Sequence, residues 1–228
     1  MSNKSPLSQY QFLVSSNQIT DDTAQQQAVD LLQQLYVQLH SPKLNKYSFA
    51  QDEIKGVYLW GKVGRGKTFL MDLFVDSLSD DLSKEVANKI CKRPHLHHFM
   101  RDVHQQLKDL SGKAEPLKRI AKSFSQQYRV LCFDEFFVSD IGDAMLLGNL
   151  LQFMFERKIV VVSTSNCAPN ELYRNGLQRQ RFLPAIAAIE QHMQPLHLKG
   201  EQDHRHRTLT HVQNYFELSG SQKQQADL

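Results

Sequence analysis

The stretch GVYLWGKVGRGKTFLMDLF, residues 56–74, decides the fold. Its first five residues are mostly apolar and predict a buried β-strand, whereas residues 67–79 carry apolar side chains at helical spacing. Four residues between these elements match the pattern G-x-x-x-x-G-K-[ST]: Gly61, Gly66, Lys67 and Thr68. Between a strand and a helix, this pattern forms a loop whose backbone N–H groups surround a phosphate. We therefore predict a nucleotide-binding loop.

Each part of this loop has an expected role. Nine residues are predicted to contact the nucleotide: Gly61, Lys62, Val63, Gly64, Arg65, Gly66, Lys67, Thr68 and Phe69. The Lys67 ammonium would reach the β- and γ-phosphates and take part in catalysis, and the Thr68 hydroxyl would bind Mg²⁺. The alternative is a glycine-rich turn that binds nothing, which the two flanking elements disfavour.

The segment RVLCFDEFF, residues 129–137, supplies two carboxylates at the end of a second predicted buried strand. Ligands of α/β sheets bind at the carboxyl ends of the strands. We expect Asp134 to hold Mg²⁺ together with Thr68, and Glu135 to polarise a water for attack on the γ-phosphate. Alternatively, Glu135 is a solvated residue at a strand end. A small-molecule kinase needs no water-activating carboxylate, so the pair favours hydrolysis.

A third buried strand, IVVVSTSN at residues 159–166, ends in Asn166, whose amide could orient the same water or contact the γ-phosphate. Alone, such an asparagine is more often a turn residue. Farther along the chain, an eight-residue stretch holds three arginines: Arg174, Arg179 and Arg181. An arginine here can stabilise transition-state charge at the nucleotide of a neighbouring subunit, and we favour Arg181, then Arg179. The alternative is a salt-bridged surface cluster.

Predicted strands and helices alternate along the chain, which indicates an α/β fold with a five-stranded, mostly parallel sheet covered on both faces. Residues 1–19 are predicted to be extended, 92–99 to form the second strand and 99–112 a helix. We divide the chain into an N-terminal extension and helix at 1–50, a core at 51–200 and a polar tail at 201–228.

The composition narrows the class of protein. Apolar residues make up 41% of the 228 residues, charged residues 22%, and the net charge is +3 without a long basic block, so there is no strong nucleic-acid signal. Cys91, Cys132 and Cys167 are far apart and read as reduced thiols near a core. Neither a signal peptide nor a transmembrane run is evident, which favours the cytoplasm and leaves a peripheral contact with the inner membrane open.

Histidines and aromatic residues are further candidates for binding sites. Seven histidines invite a metal-site reading: His95, His97, His98, His104, His204, His206 and His211. Since no cysteine joins them at zinc-like spacing, we set this reading aside. On the predicted second strand, His95 and His97 would share one face and His98 the other. Tyr58 and Trp60 are interpreted as aromatic residues of the core or sheet face.

The motif order and several long strings resemble the ZapE and AFG-one-like family of AAA+ ATPases. The strings are DDTAQQQAVDLLQQLY, HFMRDVHQQL, LCFDEFFVSDIGDAMLL and STSNCAPNELYRNGLQRQRFLPAI, and the resemblance covers about residues 5–218. It implies an AAA+-type αβα sandwich of the P-loop NTPase class that hydrolyses ATP with Mg²⁺. It also implies that Gly61–Thr68 binds the nucleotide, that Asp134 and Glu135 form the metal and water site, that Asn166 is a sensor, and that an arginine finger lies within 174–181.

By the same resemblance, the expected partner is the division protein FtsZ, and a finger acting in trans implies self-association. Family members continue through a helical lid that carries a second sensing arginine, whereas only about 30 polar residues follow Gly200, so we expect a chain truncated before the lid. Tyr10 and the helix start at Gln25–Gln27 are candidates for an adenine pocket. Two other functions stay open: a helicase-loader-like ATPase, and a nucleotide-gated binding module with little turnover.

Overall fold

The computed structural model describes residues 5–40, 54–80 and 91–200. The five strands are β1 (Gly56–Trp60), β2 (Cys91–Lys92), β3 (Val130–Phe133), β4 (Val160–Ser165) and β5 (Met193–His197). The helices are α1 (Pro6–Ser15), α2 (Thr23–His40), α3 (Lys67–Asp80), α4 (Leu96–Asp109), α5 (Pro116–Gln127), α6 (Ile141–Glu156) and α7 (Leu183–His192). Two 3-10 turns, Pro169–Glu171 and Arg179–Arg181, connect β4 to α7.

The sheet has the strand order β2-β3-β4-β1-β5, and its strands pair in parallel. Val130 lies opposite Val160, and Val57 lies opposite Val162. All five carboxyl ends therefore meet at one edge of the sheet, where the predicted nucleotide residues follow β1, β3 and β4. The predicted five-stranded α/β sandwich is confirmed.

Two buried clusters lie on opposite faces of this sheet because strand side chains alternate between faces. Leu59 and Val162 pack against α1, α2 and α3 in one cluster, which includes Leu32 and Phe74. Tyr58 packs on the other face with side chains of α4 to α7. Trp60 joins that second face and stacks on His197 of the neighbouring strand with ring centroids 3.7 Å apart. The interpretation of Tyr58 and Trp60 as core and sheet-face aromatics is confirmed.

The predicted extended conformation of residues 1–19 is wrong, because residues 6–15 form α1. Ser5 caps this helix through a side chain that accepts a hydrogen bond from the Ser8 amide, and Pro6 occupies the first turn, where proline is tolerated. Tyr10 is fully buried and anchors α1 in the core. The polar composition of this segment led to the wrong prediction, because the helix is defined by its cap and by a few buried side chains.

The second strand is also shorter than predicted. It ends at Lys92, and the chain enters α4 at Leu96, so the placement of His97 and His98 on a strand is wrong. His95 forms only an isolated parallel bridge with Asp134. The chain forms a helix here because four residues at helical spacing are buried: Leu96, Phe99, Met100 and Val103. His97 and His98 instead lie in the first turn of α4, with ring centroids 4.0 Å apart.

The three cysteines are free thiols, as predicted. Cys91 and Cys132 lie on neighbouring strands with their sulfurs 3.5 Å apart, and the hydrogen bond between them, together with burial, raises the pKa of Cys132. The predicted tail at 201–228 and the loop at 41–53 lie outside the described residues. Within the described ranges, no helix combines the length and apolar character needed to cross a membrane.

Candidate nucleotide site

The nucleotide loop leaves the sheet at the end of β1 and enters α3 at Lys67. Its first amide, that of Gly61, donates to the Ser165 carbonyl at the end of β4 over 3.2 Å. The Lys67 ammonium donates to the carbonyls of Gly61 and Lys62, at 2.7 and 2.8 Å. Lys67 is therefore held across the turn of the loop, where the motif predicts the phosphates to bind.

Burial lowers the pKa of Lys67, and the nearby Arg65 charge adds to this, while the Glu135 carboxylate opposes it. The Glu135 carboxylate is thus near enough to act on the charge of Lys67. An anionic phosphate at the loop would offset the burial cost of the ammonium.

Gly66 shows why the loop needs glycine. Its φ is +80°, a left-handed conformation that side chains with a Cβ rarely adopt. A Cβ on Gly66 would also lie 2.5 Å from Nε2 of Gln25 in α2. The loop is thus packed directly against α2. Its curved backbone has the shape that binds a phosphate.

Arg65 differs from the rest of the loop because its side chain is buried, with 3% of its surface exposed. Its Nη2 donates to Oδ2 of Asp22 and to the carbonyl of Lys199, both at 2.9 Å. The carbonyl of Arg65 accepts a hydrogen bond from Nε2 of Gln25 at 3.1 Å. The Arg65 side chain therefore points into the protein, and any contact of this residue with a nucleotide falls to its backbone.

Asp134 follows β3 directly and is 7% exposed. Its Oδ1 accepts a hydrogen bond from the Thr164 hydroxyl at 2.9 Å. Its Oδ2 accepts two from Arg93, one from Nε at 3.0 Å and one from Nη2. Arg93 also pairs with Asp72 of α3. Burial lowers the pKa of Arg93, but its hydrogen bonds to Asp72 and Asp134 outweigh that effect and raise it. No sequence pattern predicted a role for Arg93 at this site.

Glu135 adopts a left-handed backbone with φ of +51°, which is unusual for a residue with a side chain. Thr164 supports this turn, since its hydroxyl accepts from the Glu135 amide at 3.0 Å and its carbonyl accepts from the Phe136 amide at 2.6 Å. Non-glycine residues in this conformation persist where the surroundings hold them, and they cluster at functional sites. The turn leaves the Glu135 side chain exposed.

An open cleft of about 370 Å³ brings Asp134, Glu135 and Asn166 together at the carboxyl edge. His95 and Phe137 also line it, and Phe137 is 67% exposed. The structure thus gathers three of the predicted site residues, although Lys67 and Thr68 lie on the neighbouring loop rather than in the cleft.

The three arginines lie elsewhere on the surface. Arg179 donates to the Asn170 carbonyl at 2.6 Å, and Arg174 lies 3.6 Å from the Glu171 carboxylate. Arg181 is exposed at the end of its 3-10 turn. The shallow cavity beside Arg174 and Arg179 shares no residue with the cleft at Asp134. Within one chain, the arginines are therefore not assembled with the predicted catalytic residues.

The residues present fit a magnesium ion that is bound with a nucleotide. Mg²⁺ keeps several waters and takes one or two protein oxygens together with phosphate oxygens. Thr68 offers an exposed hydroxyl, and Oδ1 of Asp134 retains a lone pair beyond its hydrogen bond from Thr164. Among the described residues, no group of three His, Cys, Asp or Glu side chains could hold a metal on its own.

Two of the candidates for an adenine pocket, Tyr10 and Gln25, are buried. Tyr10 has no exposed surface, and its hydroxyl accepts a hydrogen bond from the Asp22 amide at 3.3 Å, so its ring packs in the core rather than in a pocket. Gln25 is 1% exposed and its side chain donates to the Arg65 carbonyl, so it supports the nucleotide loop rather than facing a base. Gln26 and Gln27 stay candidates.

Comparison with known sequences and structures gives a consistent family. A family model described as AFG1-like ATPase matches residues 4–227. The cell division protein ZapE of Escherichia coli is 43% identical, over 92% of this chain and 58% of its own length. The chain thus spans somewhat more than half of that curated relative.

Among solved structures, DnaI is similar with a TM-score of 0.57 and 18% identity, over 82% of this chain and 87% of that one. DnaA from Aquifex aeolicus bound to AMPPCP is similar with a TM-score of 0.56 and 12% identity, over 95% of this chain and 56% of that one. At such identities the likeness establishes the fold alone.

Proposed function

The chain belongs to the AFG1-like ATPase family, and on that premise we propose that it binds ATP with Mg²⁺ and hydrolyses the γ-phosphate. The observation that carries the proposal is that Lys67 lies across the nucleotide loop after β1, while Asp134, Glu135 and Asn166 line a cleft at the same sheet edge. Loop, lysine and carboxylate then lie at one sheet edge, as hydrolysis of a bound nucleotide requires.

In this proposal the loop amides and the Lys67 ammonium bind the β- and γ-phosphates. Thr68 and Asp134 would hold Mg²⁺, which supplies charge neutralisation at the phosphate oxygens. Arg93 and Thr164 fix the Asp134 carboxylate from both sides.

The exposed Glu135 side chain polarises the attacking water, and Asn166 in the same cleft orients it. Thr164 holds the backbone turn at Glu135 through two hydrogen bonds, which fixes where the exposed side chain leaves the sheet edge.

The arginine finger acts between two copies of the chain. Arg181 is the better candidate because its side chain is exposed, whereas Arg179 donates to the Asn170 carbonyl of its own chain. Self-association would bring the Arg181 guanidinium to the nucleotide of a neighbour and complete the site.

We further propose that the chain works in the cytoplasm on the cell-division ring, with FtsZ as its partner. The resemblance of the long strings to the division ATPases and the similarity to a cell division protein support this. Co-sedimentation with FtsZ polymers, with and without ATP, tests it. If the chain stays out of the polymer pellet both with and without ATP, FtsZ is not its partner.

Steady-state hydrolysis and equilibrium binding of ATP test the activity. Lys67→Ala is expected to weaken ATP affinity by about 100-fold, since a desolvated charged contact contributes a few kcal/mol. Lys122→Ala, which removes an exposed lysine of α5 far from the loop, is the matched control. ATP binding that survives Lys67→Ala would exclude the proposed site, and tight binding without turnover would instead favour a nucleotide-gated binding module.

A further inference from the structure

A buried ion pair joins the middle of the nucleotide loop to the start of the second helix. The Arg65 and Asp22 side chains are 3% and 8% exposed, and their nitrogen and oxygen atoms lie 2.9 Å apart. Arg65 also donates to the carbonyl of Lys199, beyond β5. One guanidinium thus connects three chain segments that are far apart in sequence.

The Asp22 carboxylate has a second task. Its Oδ1 accepts hydrogen bonds from the amides of Ala24 and Gln25, at 2.8 and 3.1 Å, and so caps α2. Its Oδ2 binds Arg65. Because both oxygens are engaged, the position of the helix start and the position of the loop are set by the same side chain.

Close packing surrounds this pair. Gln25 donates to the Arg65 carbonyl at 3.1 Å, and its amide fills the space where a Cβ on Gly66 would lie. On the other side, a Cβ on Gly200 would lie 2.5 Å from Arg65 Nη2. We call the contacts of Arg65 with Asp22, Gln25 and Lys199 the loop brace.

We propose that Asp22 and Gln25 are positioning residues, which hold Arg65 and therefore the nucleotide loop in its phosphate-binding conformation. This inference rests on the proposed function of the loop. If the competent conformation is populated only in a fraction of molecules, the apparent dissociation constant rises by the inverse of that fraction. Loss of the brace lowers this fraction, so it weakens nucleotide binding without removing any group that touches the nucleotide.

The opposite end of α2 provides a matched control. Arg129 donates to the Leu39 carbonyl at 3.2 Å, and its pKa is lowered by burial. It therefore anchors the same helix through a partly buried guanidinium, but far from the loop. Arg129→Met keeps an apolar stem and loses the hydrogen bond, so it reports what a loosened helix does by itself.

The first measurement is amide hydrogen exchange without nucleotide, in Asp22→Asn, Gln25→Met and Arg129→Met. Asp22→Asn keeps the volume and the cap but removes the charge that faces Arg65. We expect amides at 61–66 to exchange at least ten-fold faster in the first two variants and unchanged in Arg129→Met. Equal exchange in all three variants would overturn the proposal.

The second measurement is the dissociation constant of a fluorescent ATP analogue, with thermal unfolding alongside. Asp22→Asn is expected to raise the dissociation constant at least ten-fold, whereas Arg129→Met lowers the unfolding midpoint and changes affinity less than two-fold. If Asp22→Asn lowers the midpoint and leaves affinity unchanged, the brace supports only the fold. If Asp22→Asn does not fold, Gln25→Met decides, because it leaves the ion pair intact.

The two measurements separate this inference from the proposed function. A parent chain that binds no ATP analogue contradicts the function, and the exchange data alone then decide whether the brace orders the loop. A parent that binds, with all variants binding equally, keeps the function and overturns the positioning role.

Discussion

At the β1 and β5 end of the sheet edge, the nucleotide loop is packed against two other chain segments, the start of α2 and the residues after β5. At the β3 and β4 end, the carboxylate and amide side chains face an open cleft. In the first region, the loop half, Arg65 is buried and Lys67 is tied to loop carbonyls. In the second, the cleft half, Glu135 and Asn166 are exposed.

This difference indicates that ordered backbone binds the phosphates, whereas exposed side chains act on the attacking water. Binding a phosphate through backbone amides requires the loop to be ordered beforehand, because each amide must point inward. Attack by water requires side chains that water and a neighbouring subunit can reach. Variants in the two halves should therefore separate binding from hydrolysis.

The largest expected effect is in the cleft half. Glu135→Gln keeps the shape of the side chain and removes the base, so hydrolysis should fall by about 10²–10⁴-fold while ATP affinity stays within a few-fold. Single-turnover hydrolysis and equilibrium binding measure the two quantities. Glu156→Gln at the exposed end of α6 serves as control. Parallel loss of binding would mean that the two halves do not separate.

Arg181→Ala should give the next largest effect, a fall in hydrolysis of about 10²–10³-fold, because it removes one charged donor from the transition state. Since the arginine would act on a neighbour's nucleotide, the specific activity of the parent should rise with protein concentration, and that of the variant should not. Arg157→Ala, an exposed arginine at the end of α6, should behave as the parent. A rate independent of concentration in the parent would remove the finger from the mechanism.

The sequence was most informative where a function depends on adjacent residues. The loop at Gly61–Thr68 is a local motif between a strand and a helix, and its position is confirmed. Asp134 and Asn166 were predicted to meet because parallel strands bring their carboxyl ends to one edge, and they line one cleft. The chemical roles of these residues stay predictions.

Long-range partners were missed for two physical reasons. Arg93 was placed inside a strand that was predicted to run past Pro94, although a proline disfavours a continuing central strand. Had the strand been ended there, Arg93 would have been expected at the carboxyl edge, beside Asp134. Asp22 caps α2 through a local interaction, but its pairing with Arg65 across 43 residues depends on how α2 packs, which no local pattern encodes.

The third prediction tests the loop half with two glycines of nearly equal φ. Gly66 and Gly112 have φ of +80° and +77°, but a Cβ on Gly66 would meet Gln25, whereas a Cβ on Gly112 would meet nothing within 4 Å. Either alanine variant should lose about 1–2 kcal/mol of unfolding free energy through backbone strain. Only Gly66→Ala should also weaken ATP binding, by about ten-fold if the loop loses about 1.4 kcal/mol of packing against α2. Equal affinities would show that the loop tolerates displacement from α2.

The smallest expected effect is a pH dependence near the cleft half, at His98. The charge of His97 lowers the pKa of His98, with burial, Arg101 and His95 adding to this and Asp102 opposing it. The folded state therefore binds a proton less readily than the unfolded state, so stability is lost as pH falls below the usual histidine pKa of about 6.5.

His98→Asn removes this proton-binding difference, so the variant should lose less stability than the parent between pH 7.5 and pH 5.5. Thermal unfolding midpoints at the two pH values measure it. Because His98 lies at the surface, about 0.5 M salt should shrink the difference between parent and variant, since the Debye length then falls to a few ångströms. A difference that persists undiminished in salt would mean that packing of the first turn of α4, rather than repulsion between its cations, sets the acid sensitivity of this half.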